Sequence, residues 1–217
     1  MTVLLTVAVN PSNNDKPYIL MGSDSLQIKG HGIYSDEGEL IDIDEYYRDD
    51  RYEKKFEINR KLIGLTGRYN EDFNELILNS IKENDVNAVE MSKLLHDYTK
   101  KLVESDKDIE NQRITITIGT IEKGVPILSY IEVDTRDLPE TILDTIELKQ
   151  KGSFVPVFAG NRKKTIDLQE NFNQRVMNNS INFNMTSVRK AANEYLVKSA
   201  ERYPLTCNTN ITFKRLR

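Results

Sequence analysis

Cysteine is almost missing from this chain. The single Cys207 cannot close an internal disulfide, so the fold must stand on its own core, and such sparing use fits a reducing compartment. Histidine is nearly as scarce. His31 and His96 are the only two, and neither has a cysteine neighbour in sequence. No zinc-ligand set is expected, and no motif supports a Ser-His-Asp triad. No apolar run reaches the ~18 residues that a membrane-spanning helix needs, so no membrane association is expected. The first residues lack a basic stretch followed by an apolar one, so no signal peptide is expected and the cytoplasm is the expected location. No basic stripe is present. With 30 Lys and Arg against 34 Asp and Glu, the formal charge is -4, and nucleic acid is not an expected partner. No cofactor or metal motif stands out. What is there is 217 residues, 38% hydrophobic and 29% charged. That is enough for one domain, 1–217, with a sizeable core under a wet surface.

Residues 3–9 and 17–23 read as two strands around the turn-rich Asn10-Pro11-Ser12-Asn13-Asn14-Asp15-Lys16. An acidic insertion follows at about 29–53. Positions 36–53 hold nine acids against two arginines, too much charge to bury, so a solvated loop or excursion is expected on the surface, lining an interface or pore. Asp42-Ile43-Asp44-Glu45 lacks the glycine and closing glutamate of a calcium loop. Residues 54–58 and 61–66 predict a hairpin around Asn59-Arg60. The spacing of Tyr69, Phe73, Leu76, Ile77 and Ile81 predicts a helix, and that of Met91, Leu94, Leu95, Tyr98 and Leu102 a second one. Strands are expected at 113–119, 126–133, 142–148 and 154–158. Helices are expected from 160 to about 177 and from about 186 to 202, and a last strand at 210–213.

The order β-β-β-β-α-α-β-β-β-β-α-α-β groups strands with strands and helices with helices. That argues α+β with antiparallel hairpins, not alternating βαβ. The strands are apolar on successive positions, as expected where both faces are covered. Two stacked sheets with helix pairs outside, a four-layer α-β-β-α sandwich, satisfy this pattern.

The start of the chain suggests chemistry. Removal of Met1 would leave Thr2 with a free α-amine beside its hydroxyl. An α-amine titrates near pH ~8, so it can accept the hydroxyl proton at physiological pH. That is the minimum equipment of an N-terminal nucleophile hydrolase.

Several features in order resemble the proteasome β-subunit family, including its HslV-type peptidases. A threonine leads the first strand. A hairpin brings in Gly22-Ser23-Asp24. Lys54-Lys55-Phe56-Glu57-Ile58 supplies paired lysines before an apolar strand. Gly67 ends the next strand before a helix, and Asn208-Thr209-Asn210-Ile211-Thr212 is similar to the end of HslV-type chains. The resemblance implies the N-terminal nucleophile hydrolase fold and a threonine-type endopeptidase. In it Thr2 is the nucleophile, Asp24 holds a lysine, and the Gly67 amide donates to the oxyanion. The motif as written points to Lys55; strand alternation counted back from Ile58 points to Lys54. Leu65 and Tyr69 would lie near the substrate pocket. The resemblance further implies a peptide or unfolded-protein substrate, a homo-oligomeric ring, and a place for an ATPase partner. Two other readings stand beside it: a catalytically degenerate subunit with an assembly role, and an N-terminal nucleophile amidohydrolase acting on a small amide.

Overall fold

The computed structural model describes residues 2–37, 40–67, 71–105, 113–134, 141–160, 165–178 and 183–217. Strands β1 (Val3–Asn10) and β2 (Tyr18–Ser23) form a hairpin, and β3 (Gln27–Tyr34) and β4 (Leu40–Asp49) a second. Then come β5 (Lys55–Ile58), β6 (Lys61–Gly67), α1 (Glu71–Asn84) and α2 (Ala88–Ser105). Strands β7 (Arg113–Glu122), β8 (Val125–Asp134), β9 (Thr141–Glu147) and β10 (Ser153–Gly160) precede α3 (Ile166–Asn178), α4 (Met185–Glu201) and β11 (Thr212–Leu216). The architecture is mixed α and β, with antiparallel pairing throughout the described strands.

One sheet runs β10-β1-β2-β11 and a second runs β5-β6-β7-β8-β9. Strand alternation explains how both are held. On β1 and β2, Val3, Leu5, Val7, Val9, Tyr18 and Leu20 pack into a cluster with α3 and α4. Their neighbours Leu4, Ala8, Ile19 and Met21 point the other way, into a cluster shared with Leu62 and Leu128 of the second sheet. On that sheet Ile63, Leu65, Ile114, Ile116 and Ile118 meet Ile77 and Ile81 of α1 and Met91 and Leu95 of α2. Successive side chains on a strand serve opposite faces, so a run such as 3–9, apolar except for Thr6, fills two cores at once.

Local signals place the turns and caps. Asn59 and Arg60 both have positive φ, 49° and 60°, the backbone of a two-residue hairpin whose twist matches its strands. Asn87 caps α2, its Oδ1 accepting from the Val89 and Glu90 amides, while Glu90 reaches back to the Asn87 amide. This reciprocal arrangement satisfies helix-end donors that would otherwise lack partners.

The acidic segment is an excursion on the surface, built as paired strands rather than as a loop. Strands β3 and β4 pair with each other as a separate two-stranded ribbon. Ile41-Asp42-Ile43-Asp44 does alternate, but the run is short and set among acids, so charge outweighed the strand signal. The ribbon is largely exposed, as its charge requires. Tyr69 lies outside the described residues, and no helix among the described residues is long and apolar enough to cross a membrane.

Candidate functional site

Asp24 follows directly on the last residue of β2 and is completely buried, with Lys54 almost so, at 3% exposed. The two side chains meet, Lys54 Nζ donating to Asp24 Oδ2 at 2.8 Å. The other carboxylate oxygen accepts from the backbone amide of Val3 at 3.0 Å. The Leu26 amide also donates to Oδ2, at 3.2 Å. One carboxylate therefore ties the lysine to the residue that follows Thr2. A buried ion pair persists only when further hydrogen bonds satisfy its remaining lone pairs, and Asp24 has them from two amides.

Thr2 is buried at the start of β1. Its carbonyl is wedged against Gly160, where a Cβ would lie 1.8 Å from the Thr2 oxygen and where φ is +93°. No side chain fits there, so glycine lets β10 close against the first residue of β1. Gly67 ends β6 with φ of 112°, again a backbone that favours glycine, and it is exposed.

The paired lysines point opposite ways, as adjacent residues in extended chain must. Lys54 meets Asp24. Lys55 donates instead to Ser23 Oγ and Glu53 Oε1, both at 3.2 Å, and to Thr212 Oγ1 of β11. Burial holds its ammonium below the usual lysine range, with Glu53 opposing that shift. Leu65 is fully buried in the cluster beneath α1 and α2.

Sequence reasoning missed the surroundings of the pair. Ser25 donates through Oγ to the Asp50 carbonyl at 2.6 Å, and its amide donates to Asn208 Oδ1 at 3.2 Å. Asn208 and Asn210 both donate to that same Asp50 carbonyl. The Asn208–Thr212 stretch, noted above only as a terminal likeness, thus stitches the chain end to the site. Asp42, Asp44 and Glu45 lie on the ribbon, and no cluster of three metal-ligating side chains exists among the described residues.

Cys207 borders the pair. Burial, reinforced by the negative charge of Asp24, pushes its thiol up to about 11, and Lys54 opposes this. A protonated buried thiol is a poor nucleophile. Folded protein is expected to resist a thiol-alkylating reagent at neutral pH, with labelling appearing only on unfolding; rapid stoichiometric labelling of native protein would contradict this. The sign for stability follows. The unfolded thiol ionises near 9.0 and the folded one near 11, so this contribution is intact below the first value and falls as pH rises between them. A denaturant titration across that window should show a shallower fall in Cys207→Ala.

No family model and no characterised protein matches the chain in sequence. Among solved structures, the chain is similar to eukaryotic HslV from Trypanosoma brucei. That match has 12% identity and a TM-score of 0.46, and it covers 100% of this chain and 99% of that one.

Proposed function

We propose that this chain is a threonine-type peptidase with the four-layer α-β-β-α sandwich of N-terminal nucleophile hydrolases. The observation that carries the reading is the buried Asp24 carboxylate, which binds the Val3 amide through one oxygen and Lys54 through the other. That geometry fixes a cation and the first strand to one anchor, as a nucleophile at Thr2 would require.

In this reading Met1 is removed and the Thr2 amine is free. The Thr2 hydroxyl oxygen attacks the scissile carbonyl carbon, and its proton passes to the amine. Lys54, held charged by Asp24, lowers the cost of the developing alkoxide. The Gly67 amide donates to the carbonyl oxygen as it becomes an oxyanion. Collapse breaks the carbon–nitrogen bond, and the leaving amine takes the proton. Water then cleaves the ester on Thr2 and restores the hydroxyl. The substrate is an unfolded or short peptide, and the working form is a homo-oligomeric ring with a face for an ATPase.

One observation favours a second reading, an assembly subunit without catalysis. The stretch Phe158-Ala159-Gly160, where the resembled family carries a serine beside its nucleophile, offers no hydroxyl. Intact mass of the protein from its own cells, with hydrolysis of short peptide-coumarin substrates, separates the two. The peptidase reading expects loss of Met1 and measurable turnover. Thr2 exposed without turnover leaves the assembly role.

A further inference from the structure

The β3–β4 ribbon is an arm that pairs with no other strand among the described residues. Its residues leave the chain after Asp24 and return before Lys54, so the two ends of the excursion are the buried ion pair itself. The base is stitched down by Tyr52 donating to the Ser25 carbonyl and by the three side chains on the Asp50 carbonyl. Beyond that base, an eight-residue strand reaches about 25 Å. An isolated two-stranded ribbon is marginal in water and needs a partner to be stable.

The surface of the arm says what kind of partner. Two β-bulges, between Lys29 and Gly30 and between Ile33 and Tyr34, leave Tyr46 and Ile41 out of register. These are 72% and 57% exposed. Large apolar side chains held in solvent on one arm are the kind of surface that contacts cover. Around them residues 27–50 carry eight acids and two bases, a net charge of -6. The whole chain is at -4, which leaves the rest of it at +2.

That positive remainder is concentrated. Residues 189–217 carry seven bases and two acids. Lys198 and Arg202 are already paired with Glu194 and Asp167. Arg189 and Lys190 of α4 and Arg215 and Arg217 at β11 are exposed and have no acidic partner among the described residues. They form one face, since Arg189 lies 5.1 Å above the Phe213 ring and Arg215 contacts Met185 at the start of α4. β11 is also the edge of its sheet, with a row of backbone groups open to pairing.

We propose that the arm is a clasp between copies of this chain. The arm of one copy lies on the α4–β11 face of another, with Asp42, Asp44 and Glu45 against Arg189, Lys190, Arg215 and Arg217, and Tyr46 and Ile41 covered by the contact. The proposal does not depend on catalysis at Thr2.

Sedimentation velocity on the full chain tests it. At low salt the wild-type protein should run as an oligomer, and its association should weaken as salt screens the charged face. Replacing residues 31–44 by Asn-Gly joins the facing pair Gly30 and Glu45 through a two-residue turn. This variant should keep its circular dichroism and run as a monomer of 25.1 kDa less the residues removed. Two charge variants guard against misfolding of the shortened chain. Asp42→Lys with Asp44→Lys, and separately Arg189→Glu with Arg215→Glu, should each associate at least about tenfold more weakly. Mixed in equal amounts, they should assemble together. A monomeric wild type at low salt, a shortened chain that assembles like wild type, or failure of the mixture to recover would each overturn the clasp.

Discussion

Thr2→Ala is expected to abolish peptide hydrolysis while leaving the melting transition unchanged. The side chain loses a hydroxyl and a methyl group, whereas the Thr2 carbonyl keeps its place against Gly160 and the Val3 amide keeps its hydrogen bond to Asp24. The backbone that positions the first strand is therefore intact. Only the attacking oxygen is gone, and with it the covalent route. Thr2→Ser should retain part of the activity, because hydroxyl and amine both survive. Retention of Met1 should be as damaging as Thr2→Ala, because acylation removes the lone pair that serves as base. Steady-state hydrolysis of a coumarin-labelled peptide beside a thermal melt reads both halves. Full activity in Thr2→Ala would remove Thr2 from the mechanism.

The second large effect separates the two lysines. Lys54→Met leaves the completely buried Asp24 carboxylate without its cation. Breaking a buried pair from one side typically costs about 3–5 kcal/mol, because the remaining charge is uncompensated. Asp24→Asn strands Lys54 in the same way and should cost a similar amount. Both should also lower turnover by orders of magnitude, measured at a temperature where the variant is folded. Lys55→Met should behave differently. The Lys55 ammonium is already disfavoured by burial, and its partner Glu53 is exposed, so an apolar stem of similar length should change stability by about 1 kcal/mol or less. Denaturant titrations of the three variants settle the order. Equal losses in Lys54→Met and Lys55→Met would show that the Asp24 contact is not the one that matters.

Much of this arrangement was legible in the sequence, for identifiable reasons. The double-sided strand 3–9 announced a buried position in its sheet, because a run that is apolar on both parities, Thr6 apart, serves two cores. Asn59-Arg60 marked a turn that the backbone uses, with positive φ at both. The choice between Lys54 and Lys55 was not legible, since two adjacent lysines have the same composition and differ only in which way the strand turns them. Strand alternation counted from Ile58 pointed to the residue that meets Asp24. The ribbon was not legible either. Its alternation is confined to Ile41-Asp42-Ile43-Asp44 and set among acids, so charge outweighed it, and the pairing rests on backbone hydrogen bonds instead. The alternation of β6 turns Leu65 with Ile63 into the helix-side core, as its place two residues on from Ile63 requires. The Asn208 and Asn210 contacts depend on a chain end folding back across more than 150 residues onto Asp50, which local pattern does not encode.

The most direct test of a nucleophile at Thr2 is covalent. The protein from its own cells would be treated with a peptide epoxyketone, which reacts with a hydroxyl and an α-amine on one residue, and the adduct located by mass spectrometry of its fragments. The account predicts one adduct per chain, on an N-terminal fragment that begins at Thr2, lost in Thr2→Ala. An N-terminus that still carries Met1, or modification at Cys207, a lysine or no residue at all, would contradict it.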